Sequence, residues 1–279
     1  MNIEYKRIKA VSILAKSNLY DLDYAYNPYA GCSHGCLYCY ARCYTRFRDA
    51  VERWGSIVYV KENALELLAR EAERVKRGVV GVSTITDPYQ PIEEVEKLAR
   101  RGLELLLRSG FRVSIQTKSP LVLRDLDLFT KWRHSVDVGL TITTVETGLA
   151  KLIEPNAPEP AARAKALEKL SDNGVETWLF LGPLMRGVND DEDNIKTIIE
   201  VAQATGSKLY FDYFRMKHCL ENPMKQVTKI YPHATDASSR WRANVRRLIE
   251  KLCENLGVEF QQSFPHKRES HLDLKQFLN

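Results

Sequence analysis

The stretch Asn27-Pro28-Tyr29-Ala30-Gly31-Cys32-Ser33-His34-Gly35-Cys36-Leu37-Tyr38-Cys39-Tyr40-Ala41-Arg42 carries three cysteines on one short loop, separated by three and then two residues. Three thiolates can hold three irons of a 4Fe–4S cluster, where a closed cluster takes four. The fourth iron is then left to a ligand that is not protein. An open coordination position separates a reactive metal centre from a structural one. Two other readings use the same residues. Zinc takes four ligands, and His34 or Cys43 could complete such a site. Cys43 could also close the cluster as a fourth ligand and make it an electron-transfer centre. Placed one turn into a helix that starts near Tyr40, it reads instead as a packed thiol. Cys219 and Cys253 show no metal spacing and read as structural.

Downstream of this loop, short apolar runs alternate with amphipathic helices. Strands are expected at Ile57–Val60, Val79–Ser83, Arg112–Gln116, Val136–Thr143, Glu176–Leu181 and Lys208–Phe214. Helices are expected at Asn63–Arg77, Pro91–Ser109, Leu121–Trp132, Ala161–Asn173, Asp190–Thr205 and Arg240–Leu256. Pro91 suits a first turn, and Gly110, Gly174 and Gly257 suit helix stops. Asp190 opens its helix on acidic residues, which favour the positive end of the dipole. This alternation argues for βα units and a parallel sheet, an α/β fold whose six or so units suit an open barrel. The proline-rich Glu154-Pro155-Asn156-Ala157-Pro158-Glu159-Pro160 reads as a loop rather than a linker. A core over residues 1–260, with the cysteine loop at 27–43, and a tail or cap over 261–279 complete the expected organisation.

The chain has 279 residues, 44% hydrophobic and 28% charged, the range of a soluble globular protein with a sizeable core. Net charge is +5, from 41 basic and 36 acidic residues, which permits an anionic partner without demanding one. Met1-Asn2-Ile3-Glu4-Tyr5-Lys6-Arg7 lacks the apolar core of a signal peptide. Runs such as Trp178-Leu179-Phe180-Leu181 are too short to span a bilayer. Six cysteines, three of them in one loop, suit a metal and a reduced cytosol better than a disulfide framework. A cytoplasmic protein is therefore expected.

The Cys32-x3-Cys36-x2-Cys39 spacing with Tyr38 before the last cysteine resembles that of the radical S-adenosylmethionine enzymes. Asn27-Pro28-Tyr29, Tyr40-Ala41-Arg42 and Thr86-Asp87-Pro88-Tyr89-Gln90-Pro91 narrow the resemblance to the spore photoproduct lyase-like branch. It runs from about Tyr24 to Asp212 and implies a partial (β/α)6 barrel with the cluster loop at the C-terminal ends of the strands. It implies a 4Fe–4S cluster on Cys32, Cys36 and Cys39, with S-adenosylmethionine on the open iron. Reductive cleavage of the sulfonium, fed by a flavodoxin- or ferredoxin-like donor, then yields a 5′-deoxyadenosyl radical that abstracts hydrogen from a substrate. Tyr38 and Tyr40 fall where the family contacts adenosine. Lys118 falls where a lysine meets the methionine carboxylate, and Thr141 where the lyase uses a serine. Gly182 would let adenine approach backbone, and Thr86 and Asp87 follow a strand end on the face where barrel enzymes place their sites. Glu154 and Arg163 look like a further pair on the nucleoside side.

One departure stands out. The lyase carries a hydrogen-donor cysteine just before its Thr-Asp motif, where this chain has Ser83, Thr84 and Ile85. An aliphatic hydroxyl is a poor hydrogen-atom donor beside a thiol. Tyr89, Tyr210, Tyr213 or Cys219 are the alternatives in the sequence. The resemblance implies a nucleic-acid substrate, and the basic run Arg240-Trp241-Arg242-Ala243-Asn244-Val245-Arg246-Arg247 is a candidate footprint for one. The other reading of that run is a solvated helix face with Trp241 packed inward. Radical modification of a protein, peptide or small metabolite, and a non-catalytic iron–sulfur or zinc module, are the alternative functions.

Overall fold

The computed structural model describes residues 3–263. Its strands are β1 (Glu4–Ile8), β2 (Leu14–Lys16), β3 (Tyr24–Tyr26), β4 (Tyr29–Ala30), β5 (Ile57–Lys61), β6 (Val79–Val82), β7 (Arg112–Thr117), β8 (Val136–Thr141), β9 (Glu176–Leu184), β10 (Lys208–Tyr213) and β11 (Phe260–Gln262). The main sheet runs β11-β10-β9-β8-β7-β6-β3-β2. Neighbours from β3 to β11 are parallel, and only β2 is antiparallel. The six strands β3, β6, β7, β8, β9 and β10 follow one another in both sequence and space, as a partial (β/α)6 barrel requires. The sheet ends at β11 and β2 and does not close.

Two expectations about strands change. Ile57–Lys61 is a strand, but it belongs to a separate sheet of order β1-β5-β4. The first barrel strand is Tyr24–Tyr26, three residues too short for periodicity to reveal. Beyond the last helix, Phe260–Gln262 adds a strand parallel to β10. The rest of the expected tail, 264–279, lies outside the described residues.

The barrel strands alternate between two environments. On β7, Val113 and Ile115 join the core beneath the helices, while Arg112, Ser114 and Gln116 point to the inner face. On β8, Val136, Val138 and Leu140 go outward, while Asp137 and Thr141 go inward. This is the period-two pattern of a strand with one apolar and one polar neighbour. The outer layer is packed by helices such as Leu98–Arg108, Pro160–Asp172 and Glu192–Ala204. Leu103, Leu106 and Leu107 of the first, and Ile195, Ile198 and Ile199 of the last, are fully or almost fully buried at helical spacing. The acidic opening of Glu192–Ala204 is as expected, with Asp191 capping Asn194 N at 2.9 Å.

The helix expected over 91–109 is broken. Lys97 has φ 52° and divides it into Glu93–Glu96 and Leu98–Arg108. The cause is Glu93, whose fully buried carboxylate accepts from Ala99 N at 2.9 Å and Arg100 N at 3.1 Å, capping the second piece. Arg124 pairs with the same carboxylate at 2.8 Å. The segment expected to be helical from Leu121 starts as a 3-10 turn over Pro120–Asp125 before the α-helix Leu126–Lys131.

Candidate active site

Gly31 turns the chain out of β4 at φ +82°, and a Cβ there would lie 2.5 Å from the Ile57 carbonyl, so only glycine fits. The cysteine loop that follows is held from two sides. Past β6, Thr86 Oγ1 donates to the Gly31 carbonyl at 2.5 Å, and Gln90 Oε1 accepts from Ser33 N at 3.0 Å. From the end of helix Thr147–Ile153 onward, the Ile153 carbonyl accepts from Leu37 N at 2.9 Å, and Asn156 Nδ2 donates to the Ser33 carbonyl at 2.9 Å.

Cys32, Cys36 and Cys39 are free thiols at one end of a cavity of about 440 Å³ that runs along the inner face of the barrel. Burial pushes all three thiols up, Cys36 to about 12, and at Cys32 the charges of Asp87 and the two other cysteines add to the rise. Neighbouring thiols of which Cys32 and Cys36 are held neutral by burial and by the other cysteines suit a cationic centre shared among them. Among the described residues no three Cys, His, Asp or Glu side chains converge on one ion. Both candidates for a fourth ligand are engaged elsewhere. His34 Nδ1 faces Asp87 Oδ2 at 3.4 Å, and Cys43 is bonded to Cys219.

That bond corrects the reading of Cys43 and Cys219 as separate structural thiols. Their Cα atoms are 5.6 Å apart although 176 residues separate them in sequence. The 3-10 turns Tyr40–Tyr44 and His218–Leu220 pack together and bring them into register. Nothing local in either segment announces the pairing.

Five further expected residues reach the cavity wall: Tyr40, Thr86, Asp87, Lys118 and Thr141. Asp87 accepts from Thr117 Oγ1 at 2.6 Å and from Lys118 N at 2.9 Å. Burial would raise its carboxyl, but His34 and these donors hold it down at about 2. Asp87 thereby fixes the end of β7 from which Lys118 projects. Thr141 Oγ1 accepts from Gln116 Nε2 at 3.0 Å.

Tyr38, Glu154, Arg163 and Gly182 stand behind this wall rather than on it. Glu154 is buried and accepts from Tyr38 Oη and Arg163 Nη2. Thr143 Oγ1 lies 2.7 Å from Glu154 Oε1 and 3.1 Å from the Gly182 carbonyl. Burial would raise the Glu154 carboxyl, but Arg163 and Lys118 hold it at about 2. A Cβ at Gly182 would meet the Phe180 ring at 2.7 Å, so an aromatic neighbour within the protein already explains this glycine. The four form a buried platform whose Tyr38 ring lies 5.6 Å from Lys118 Nζ.

Of the candidate hydrogen donors, only Tyr210 lines the cavity. Tyr89 turns away, because Asp87 Oδ1 captures its N–H at 2.9 Å and its hydroxyl bonds Asp125 at 3.0 Å in the core. Tyr213 donates to the Arg242 carbonyl, and Cys219 has no free thiol. Ser83 stands where the sequence departs from the lyase pattern. It lines the cavity at φ 62°, and its buried hydroxyl has no partner among the described residues. Gln116, Asp137 and Trp178, none of them a site residue expected from the sequence, also reach the wall, and so does His34, expected there only as a candidate ligand. The alternation Arg112-Ser114-Gln116-Lys118 was the available signal for the first.

Residues 26–198 match the family model of the Radical SAM superfamily, and the chain belongs to that superfamily. An uncharacterized protein of Methanocaldococcus jannaschii is 34% identical over 255 residues, which are 89% of this chain and 94% of that protein. Spore photoproduct lyase complexed with dinucleoside spore photoproduct superposes with a TM-score of 0.69 at 13% identity, over 93% of this chain and 81% of that one. SuiB of Streptococcus suis bound to S-adenosylmethionine gives 0.57 at 9% identity, over 95% and 52%. At these identities the structural likeness is one of fold.

Proposed function

We propose that this chain is a radical S-adenosylmethionine enzyme acting on a nucleic acid. Cys32, Cys36 and Cys39 hold a 4Fe–4S cluster with one iron left for S-adenosylmethionine. The cofactor pair supplies reductive cleavage of the sulfonium and a carbon radical able to take hydrogen from a substrate. The single observation that carries this reading is the placement of three free thiols and one largely buried ammonium, Lys118, on the wall of the same cavity.

The chain's own residues have definable tasks. Burial works against the Lys118 charge, but Cys36 and Glu154 outweigh it and keep the amine protonated. Its nearest carboxylate oxygen is 3.9 Å away, so its donors are free for an incoming carboxylate. Tyr40 and Thr141 border the adjoining wall, where a nucleoside would lie. Trp178 and Phe180 add aromatic surface farther along. A cavity of about 440 Å³ suits a ligand of nucleotide size. The fold shared with a lyase solved with a dinucleoside supports the choice of a nucleic acid. Electrons come from a flavodoxin- or ferredoxin-like donor. No helix among the described residues is long and apolar enough to cross a membrane.

The test is anaerobic reconstitution, a reductant, S-adenosylmethionine and deuterated oligonucleotides. The reading requires iron and sulfide in the wild type, their loss in Cys36→Ala, and deuterium in the recovered 5′-deoxyadenosine. Zinc in place of iron, or a loaded cluster that forms no 5′-deoxyadenosine, would overturn it.

A further inference from the structure

Tyr40 both lines the cavity and is 46% exposed, so it marks an opening. Its ring meets that of Tyr44, 55% exposed, edge to face at 6.0 Å. Lys217, distant in sequence, lies 5.3 Å from the Tyr44 ring centroid and 3.3 Å from its hydroxyl. Met216 beside it is exposed as well. The Cys43–Cys219 disulfide ties the two segments together. Tyr40–Arg48 and Phe214–Leu220 carry Arg42, Arg46, Arg48, Arg215, Lys217 and His218 and contain no Asp or Glu. Arg48 and Arg215 are neutralised by Glu52 and Asp212. Arg46 and Lys217 pair with no carboxylate among the described residues.

We infer that this rim is the docking surface for a single-stranded nucleic acid flanking the nucleotide that enters the cavity, an inference that rests on the function proposed above. Exposed aromatic rings at a cavity opening, with cations that no carboxylate neutralises close by, offer a face for a nucleobase and a charge for a phosphate. The disulfide holds both halves of the surface in place before binding, which lowers the ordering cost. The basic helix Ser239–Leu256 is the weaker footprint. Trp241 is buried there with its indole N–H on Asp190 at 2.6 Å, and Arg246 pairs with Glu250 at 2.6 Å.

The experiment measures anisotropy of a fluorescein-labelled oligothymidylate with full-length, cluster-loaded protein across a salt series. Wild type binds, and weakens as salt rises. Arg46→Ala combined with Lys217→Ala weakens binding roughly tenfold and lowers the salt slope by about 1.4, the value for two lost contacts to a single strand. Tyr44→Ala weakens binding roughly tenfold with the slope unchanged. Arg246→Ala binds as wild type. All variants keep the melting temperature of the wild type and its rate of 5′-deoxyadenosine formation without oligonucleotide. Should rim variants bind normally while Arg246→Ala weakens, the rim assignment falls and the nucleic-acid function stands. Rim variants that bind normally but accept electrons poorly from flavodoxin would give the surface to the reductant and overturn the inference. A wild type that binds no oligonucleotide would overturn both the rim and the nucleic-acid substrate.

Discussion

Lys118 Nζ lies 3.9 Å from Glu154 Oε1, near enough to feel the charge and too far to spend a hydrogen bond on it. Glu154 cannot come closer, because Arg163, Tyr38 and Thr143 already hold its two oxygens. A charged amine is thus kept in place, beside Cys36 and Cys39, with donors to spare.

Removing that amine should separate cofactor binding from cluster binding. Lys118→Met is expected to keep iron and sulfide at wild-type levels while weakening S-adenosylmethionine roughly 10- to 100-fold, the worth of one charge-assisted hydrogen bond. Calorimetric titration of the reconstituted variant checks this. Unchanged affinity would show that Lys118 serves only the platform.

Glu154→Gln should act on stability first. Breaking a fully buried ion pair by altering one partner costs about 3–5 kcal/mol, and both Glu154 and Arg163 are almost wholly buried. The effect has a pH signature. The folded carboxyl titrates near 2, below an ordinary glutamate, so its contribution is present above about pH 4.5 and lost as pH falls towards 2. Denaturant unfolding of the cluster-free proteins should therefore show a large gap at pH 7 and a smaller one at pH 3. A gap that widens on acidification would contradict the assignment.

The Cys43–Cys219 link predicts a thiol count. Alkylation of denatured, cluster-free, unreduced protein should label four cysteines, and prior reduction should bring the number to six. Cys219→Ser should lower stability by about 2–4 kcal/mol without altering iron content. Six labelled thiols before reduction would exclude the bond.

Ser83 sits at φ 62°, in the left-handed region, with its backbone N–H on the Tyr26 carbonyl at 2.7 Å. Glycine tolerates that conformation, and a β-branched residue does not. Ser83→Gly is expected to match the wild type or gain up to about 1 kcal/mol, and Ser83→Val to lose more than about 1 kcal/mol. Equal losses in both, read by thermal unfolding, would mean that the hydroxyl rather than the backbone governs this position.

Much of this arrangement was legible before any coordinates. The spacing of Cys32, Cys36 and Cys39 put three thiols on one loop, and the alternation of apolar runs with helices gave the parallel sheet. What escaped had a physical reason in each case. The strand Ile57–Lys61 looks like any barrel strand, because propensity does not say which neighbour a strand pairs with. Tyr89 follows the Thr-Asp motif closely, yet its N–H donates to Asp87 and its hydroxyl to Asp125, which turns it out of the cavity. Glu93 breaks a helix by capping Ala99 and Arg100, while Tyr29 and Arg124, both far from it in sequence, hold its carboxylate there.

The sequence by itself determined the chemistry available: three thiols on one loop, a lysine at a strand end, and alternating strands that form a parallel sheet. These are local properties, set by spacing and by which face of an element is apolar. Tertiary structure alone decided which residues share a wall. It put Lys118 on the cavity and Glu154 behind it, joined Cys43 to Cys219, and set Lys217 against Tyr44. Such pairings between distant segments depend on how the helices and loops pack, and neither partner carries a local mark of the other.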